Sequence, residues 1–226
     1  LRTLEYTVIY IPLSMTSGLV LARVLSGIKK FKGLFQSIYF IPSITSISVI
    51  AIVWSYIYNP QIGPLQHLLT RLGMAREMIP QWLNDPKFAL PCLAVTGAWQ
   101  SLGFVTLLFV AGMNNIPRSY NEAAEVDGAS KWTIFWQITM PMLSPVTYFV
   151  VFMLVIDSFR VFGIVSIMTQ GRPVGSTNVL LYYVYQNAFR FFDAGTASAS
   201  SLIIFLFILA FMLLQQKLGE KSVFYQ

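Results

Sequence analysis

Long apolar runs alternate with short polar segments along the 226-residue chain. Five runs without a charged residue have, or nearly have, the roughly 20 residues that a helix needs to cross a bilayer. They are Tyr6–Ala22, Leu34–Tyr58, Phe88–Pro117, Met140–Ile156 and Ala194–Gln216. Because lipid offers no hydrogen-bond partners to the backbone, we predict a helix for each run. We expect the third to leave the lipid near Met113, and the fourth to continue past two charged residues to about Met168.

The composition supports a membrane protein. Hydrophobic residues make up 56% of the chain, charged residues only 11%, and the mean hydropathy is +0.65. Soluble domains carry about 25% charged residues. We therefore predict an all-α, polytopic helix bundle that forms a single domain over residues 1–226. The net charge of +6 does not indicate a nucleic-acid partner, since the basic residues are scattered between apolar runs and cytoplasmic loops retain Lys and Arg.

The positions of the charges predict the orientation. The first connection is basic and contains no acid, and further basic residues fall in the connection after the third run and behind the last run; these are Arg23, Lys29, Lys30, Lys32, Arg118, Lys131, Lys217 and Lys221. The opposite side also carries basic residues, but there the Asn59–Lys87 loop is long and contains acids. Short loops dominate this rule, so we place the C-terminus in the cytoplasm and Leu1 outside. We expect a further span upstream of Leu1.

The segment between the third and fourth runs, residues 116–141, has the pattern of two short helices. Ser119 and Glu122 fit a capping box, and Gly128 is a predicted helix stop. Ser130 is predicted to cap a second helix with Ile134, Phe135 and Ile138 on one side. We expect Pro141 to break that helix before the fourth span. On these grounds alone, a pair of interfacial helices is a sufficient interpretation.

The same segment resembles a known signature. Glu122-Ala123-Ala124, then Gly128, then Ile138 and Met140-Pro141 is similar to the EAA motif of permeases in binding-protein-dependent ABC importers, with Met140 where leucine is usual. Within that family the chain resembles the carbohydrate type, the maltose and glycerol-phosphate class, over nearly its whole length. Two departures, at Gly163 and at Gly171-Arg172-Pro173, weaken any transfer of the substrate.

The resemblance implies a type I importer (MetI-like) permease fold and a mechanism. The EAA helix would be a coupling helix seated on a separate ATPase subunit, and the residues assigned to that role are Glu122, Ala123, Ala124, Asp127, Gly128, Ile138 and Pro141. The implied partners are two cytoplasmic ATPase subunits, a second homologous permease and an extracellular solute-binding protein. The chain itself would hold no cofactor, since ATP and Mg belong to the ATPase. The sequence has no Walker A motif, because Gly171–Thr177 lacks the lysine.

Several residues are candidates for the translocation pathway. Asp157 and Arg160, three positions apart in the fourth run, are either a self-neutralising structural pair or polar groups on the solute path. The aromatic residues Trp54, Tyr58 and Trp99 either stack on a sugar or anchor the spans at the interface. The residues leave both questions open. The lone His67 and Cys92 do not suggest a metal site.

Two other function classes compete with an ABC permease. A secondary transporter or channel of another fold would share the spans but would not need the EAA segment. An intramembrane enzyme would need a nucleophile and a base in register, and the runs contain neither a histidine nor an acidic cluster. The identity of the solute stays open.

Overall fold

The structure, a computed structural model, describes residues 1–27 and 32–222. Lys29, Lys30 and the side chains of Lys32 and Lys221, on which the predicted orientation partly rests, lie outside the described residues. The described chain contains no strand, so the all-α class is confirmed. Its helices are α1 (Arg2–Ser26), α2 (Lys32–Ile44), α3 (Ile47–Ile57), α4 (Pro64–Arg71), α5 (Ala89–Asn114), α6 (Arg118–Val126), α7 (Lys131–Ile134), α8 (Met140–Met142), α9 (Ser144–Phe159), α10 (Gly163–Met168), α11 (Leu180–Tyr185) and α12 (Ala194–Ser222).

Helix α5 is the centre of the bundle. It packs against α1, α2, α3, α9 and α10, and its buried side chains include Leu93, Val105 and Phe109. Lipid tails are as apolar as these side chains, so close packing stabilises the bundle more than exclusion of water does. A methyl group at Gly18 of α1 would lie 2.5 Å from the Val105 side chain, which shows how closely α1 approaches α5.

Four of the five predicted spans are confirmed as apolar helices. Among the described residues, the ranges long and apolar enough to cross a membrane are Arg2–Ser26, Ala89–Asn114, Ser144–Met168 and Ala194–Lys217. Helix α5, the third predicted span, ends at Asn114, close to the position near Met113 where we expect the chain to leave the lipid. The fourth reaches Met168 as expected, but it is interrupted between Phe159 and Gly163, where α9 gives way to α10.

The prediction of one helix over Leu34–Tyr58 is wrong. This run forms two helices, α2 and α3, whose axes differ by 95°. The backbone turns because Ser46 is extended (φ −54°, ψ 133°) and begins α3 as its N-cap, while the Thr45 amide still donates to carbonyl groups of α2. The span count of five holds when this bent pair counts as one crossing.

A serine hydroxyl fastens this corner to α5. Ser43 Oγ donates a hydrogen bond to the Gln100 carbonyl oxygen (2.9 Å) and accepts one from the Phe104 amide (3.1 Å). Gln100 and Phe104 are four residues apart in α5, so their backbone groups would otherwise pair with each other. The hydroxyl is therefore inserted into the hydrogen-bond ladder of α5.

The last span begins at a side-chain cap. Asp193 accepts from the Thr196 amide (3.0 Å) and from the Thr196 hydroxyl (2.5 Å). The hydrogen bond from the Thr196 side chain, followed by that from its backbone, lowers the pKa of Asp193 from its ordinary value. One side of α12 packs on α9 and α11, whereas Leu202, Phe205 and Leu213 are exposed and apolar, as a lipid-facing surface requires.

Candidate functional site

Helix α6 and the turn after it form a protruding segment. None of the residues of α6 is buried; Glu122 and Ala123 are exposed, and Ala124 is half-buried. Asp127, which follows the helix, is also exposed. A helix with so little burial in its own chain has a surface available to a partner.

Gly128 ends α6 through its backbone conformation, as predicted. Its φ is +79°, in the left-handed region that favours glycine. The Ala129 amide donates to the Ala124 carbonyl oxygen (2.9 Å), and the Gly128 amide donates to that of Glu125 (3.1 Å). This pair of hydrogen bonds is a Schellman motif, which closes the helix and redirects the chain.

The predicted capping box at the start of α6 is wrong. The N-cap is Pro117, and no side chain caps the helix. Ser119 already lies within the helix, where its hydroxyl is past the position from which it could accept from an N3 amide. Proline fixes its own φ, so Pro117 starts the helix two residues earlier than the motif suggests.

The second helix of the segment begins as predicted, but Pro141 does not break it. The Thr133 amide donates to Ser130 Oγ (3.1 Å), and Ile134 is buried while Phe135 and Ile138 are half-buried. The chain then continues through a π-helix, Phe135–Thr139, into α8, which contains Pro141. The wider π turn precedes the proline, and the Leu143 amide still donates to Thr139 (2.9 Å). The second helix therefore runs almost continuously into α9.

A cavity of about 600 Å³ lies between α1, α2, α5 and the break after α9. Its polar lining comprises Tyr6, Tyr10, Ser43, Gln100, Ser101, Asp157 and Arg160. Tyr6 and Tyr10 are stacked, with their ring centroids 5.3 Å apart. A cavity of this size within the spans has room for a small solute and offers it several hydrogen-bonding groups.

Asp157 and Arg160 lie together at this cavity, at the end of α9. Arg160 is the C-cap residue, and its amide donates to the carbonyl oxygens of Ile156 (3.1 Å) and Asp157 (3.2 Å). The two residues do not form an ion pair in this structure, since within the described chain only Arg2 and Glu5 approach within the 4.0 Å of a salt bridge. Both side chains are instead exposed to the cavity.

The three aromatic candidates lie apart from this cavity. Trp54 contacts Tyr58 and Trp99, with centroid distances of 5.3 Å and 5.7 Å. The cluster continues through Trp82, 6.3 Å from Tyr58, towards the loop that precedes α5. Neither Trp54, Tyr58 nor Trp99 lines the cavity. The structure thus separates the five pathway candidates into two groups.

Sequence reasoning missed most of the polar cavity lining. Tyr6 and Tyr10 are one helical turn apart, so their spacing gave a signal for a shared face. Ser43, Gln100 and Ser101 gave none, since isolated polar residues in a span have no periodic pattern. As to metals, no group of three or more His, Cys, Asp or Glu side chains in residues 1–27 and 32–222 is placed to hold an ion.

The family's sequence pattern matches residues 14–222, and its description is binding-protein-dependent transport system inner membrane component. The chain belongs to this family. The chain is therefore a multi-pass membrane permease. Its family is one of transport components, not of enzymes. This membership argues against a secondary transporter or channel of another fold and against an intramembrane enzyme.

Several relatives are permeases of ABC transporters. The chain is 34% identical to the probable ABC transporter permease protein YurN of Bacillus subtilis, over 94% of this chain and 73% of that one. It is 32% identical to the sn-glycerol-3-phosphate transport system permease protein UgpA of Agrobacterium fabrum, over 100% and 77%. It is 31% identical to the trehalose/maltose transport system permease protein MalF of Thermococcus litoralis, over 96% and 72%.

The fold matches that of an ABC importer. A bacterial ABC transporter involved in the import of the acidic polysaccharide alginate has a chain that superposes with a TM-score of 0.87 at 20% identity, covering 97% of this chain and 77% of that one. A chain of a bacterial alginate ABC transporter in complex with an alginate pentasaccharide-bound periplasmic protein also superposes with a TM-score of 0.87 at 20% identity. The expected MetI-like permease fold is thereby confirmed.

Proposed function

We propose that this permease imports a sugar, an oligosaccharide or a related polyol or sugar phosphate, and that it is driven by separate ATPase subunits through α6. The observation that carries the coupling role is the exposed α6, closed by the left-handed Gly128. Glu122 would pair with a basic residue of the ATPase, and Ala123 and Ala124 would allow close approach. Asp127 and Gly128 would set the turn, while Ile138 and Pro141 would join it to α9.

The relatives and the cavity support the solute class. Named relatives carry glycerol phosphate, trehalose or maltose, and the solved neighbour imports alginate. The cavity offers hydroxyl groups, an amide, a carboxylate and a guanidinium, which suit a solute rich in hydroxyl groups. Asp157 and Arg160 are its charged contacts in this proposal. Trp54, Tyr58 and Trp99 would either contact the solute on the pathway outside this cavity or anchor the spans at the membrane interface.

The proposed assembly contains a second homologous permease, two ATPases and an extracellular binding protein. ATP and Mg would be held by the ATPases, so this chain needs no cofactor. Arg23, Arg118 and Lys131 line one cavity beside α6, which supports the assignment of that side to the cytoplasm. Helices α1 and α5 both end there, and the bent pair between them therefore returns the chain to the opposite side. The C-terminus would also be cytoplasmic.

The test is Glu122→Lys in the reconstituted transporter. Reversing a charge at a protein contact costs about 2–5 kcal/mol, so ATP hydrolysis stimulated by the sugar-loaded binding protein should fall by roughly 30-fold or more. Membrane abundance should be unchanged, because Glu122 is exposed. Binding proteins loaded with maltose, glycerol phosphate or an amino acid would identify the solute class.

Glu77→Lys is the matched control, since Glu77 is an equally exposed acid in the loop between α3 and α5. It should leave both abundance and stimulation at the wild-type level. Wild-type stimulation in Glu122→Lys would refute the coupling role of α6, whereas stimulation only by the amino-acid-loaded protein would refute the sugar class.

A further inference from the structure

A second cavity, of about 430 Å³, lies beside α6 and carries several positive charges. Its lining draws on the ends of α1 and α5 and on helices α6 and α7. Arg23, Arg118 and Lys131 line it, and Glu125 is the only acid among the described residues of its lining. None of the three cations has a carboxylate within 4.0 Å in the described chain, so their charges are not neutralised within it.

Two further features of the lining favour an anion as the ligand of this cavity. The side-chain oxygen of Asn121, another residue of the lining, is shielded from solvent and has no hydrogen-bond partner among the described residues. A buried amide without a partner costs free energy, and a half-turn of this amide would present its NH₂ group as a donor. The Arg23 guanidinium lies 6.0 Å from the centre of the Phe135 ring, a contact that positions the charge at the cavity.

The level of the cavity in the membrane indicates the source of the anion. Trp132 follows Lys131 directly and Trp136 lies about one helical turn later; both are exposed, with ring centroids 5.6 Å apart. Exposed tryptophans at the end of a span are typical of the lipid headgroup region. Basic pockets between helices at that level recognise the phosphates of anionic lipids.

We propose that this cavity binds a phosphate group carried by an anionic lipid headgroup, held by Arg23, Arg118 and Lys131 with Asn121. Ligand sites in proteins have volumes of about 300–1,000 Å³, and the cavity falls within that range. Glu125 weakens the site by repelling the phosphate. This role is separate from the coupling role of Glu122.

The test is a titration of the complete purified transporter with phosphatidylglycerol, followed by native mass spectrometry, with phosphatidylcholine as the neutral lipid. The wild type should retain phosphatidylglycerol in preference to phosphatidylcholine. The double variant Arg23→Gln/Lys131→Gln should lose roughly 25-fold in affinity, because each cation near a membrane surface contributes about fivefold. Glu125→Gln should bind roughly fivefold more tightly, a gain that misfolding cannot produce.

Arg71→Gln/Arg76→Gln is the control, since these two cations are exposed in the opposite loop, and it should match the wild type. Equal affinity for the two lipids, an unchanged Arg23/Lys131 variant or a weaker Glu125→Gln would each refute the site. Inorganic phosphate separates the sources. If it displaces the lipid only weakly, the lipid is the ligand; if it binds tightly and phosphatidylglycerol does not, the lipid assignment is wrong.

Discussion

Gly128 illustrates how one residue sets the direction of the chain. A methyl group at this position would meet nothing within 4 Å, so a larger side chain would not clash. The cost of substitution lies in the backbone, because φ is +79° and residues other than glycine pay roughly 1–3 kcal/mol there. Asparagine pays less than leucine, since its short polar side chain tolerates the left-handed region.

We therefore expect Gly128→Leu to abolish transport, and Gly128→Asn to retain a substantial part of it. Both variants should reach the membrane at wild-type abundance, because the residue is exposed. Solute uptake by cells and immunoblots of membrane fractions measure the two quantities. Equal uptake in the two variants would show that the left-handed turn has no role in coupling.

At Gly103, by contrast, the lack of space for a side chain determines the cost of substitution. A methyl group there would lie 2.6 Å from the Tyr39 carbonyl oxygen and 2.9 Å from Phe40 Cα, and these backbone atoms cannot rotate away. Gly103→Ala should therefore destabilise the protein by about 1–3 kcal/mol through overpacking. Thermal unfolding in detergent would measure this as a lower Tm.

Gly33→Ala is the matched control for Gly103→Ala. Gly33 is also a helical glycine, but no atom of the described residues lies within 4 Å of an added methyl group. Alanine favours helix over glycine by about 1 kcal/mol, so the Tm should stay constant or rise. Equal shifts in the two variants would contradict the close approach of α2 to α5.

At the scale of elements, the break between α9 and α10 determines the environment of the two charged residues. Both residues line the cavity, and they are not an ion pair. Asp157→Asn therefore should not leave the Arg160 charge without a partner that it had before. Membrane abundance should be normal in Asp157→Asn, in Arg160→Gln and in the double variant.

Transport is expected to respond differently. A hydrogen bond to a charged group contributes about 1.5–3 kcal/mol, so each single variant should lower solute uptake roughly tenfold or more. Glu5→Gln is the control, because it breaks the exposed Arg2–Glu5 pair outside the cavity and should alter neither quantity. Low abundance of Asp157→Asn with full recovery in the double variant would instead assign the pair a structural role.

The elements also show what the sequence could predict. Apolar length located the spans. Gly128 and Ser130 marked the end of α6 and the start of α7, because each acts through its own local chemistry. The corner at Ser46 was missed because the run carries no charge, although the hydroxyl residues Ser43, Thr45 and Ser46 interrupt its apolar pattern there. Pro141 was misread because the π turn before it accommodates the ring, and the sequence does not encode that turn visibly.

At the scale of the whole molecule, the coupling segment and the membrane cavity differ in predictability. The residues of the coupling segment are close in sequence, so a motif revealed them. The cavity combines α1, α2, α5 and the end of α9, whose residues are up to about 150 positions apart and meet only through packing. Asp157 and Arg160 were found because a charge in a span is conspicuous, whereas Ser43 and Gln100 were not.

The hydroxyl of Ser43 allows the cavity wall to part without a loss of pairing. If the α2–α3 corner withdrew, the Phe104 amide could donate to the Gln100 carbonyl oxygen, which would restore one i to i−4 hydrogen bond of α5. Ser43 could turn its hydroxyl to the carbonyl group four residues before it, at Tyr39. No backbone group would then be left bare in lipid, where each would cost several kcal/mol. The Ser43 hydroxyl would therefore keep a hydrogen bond whether or not the corner stays seated on α5.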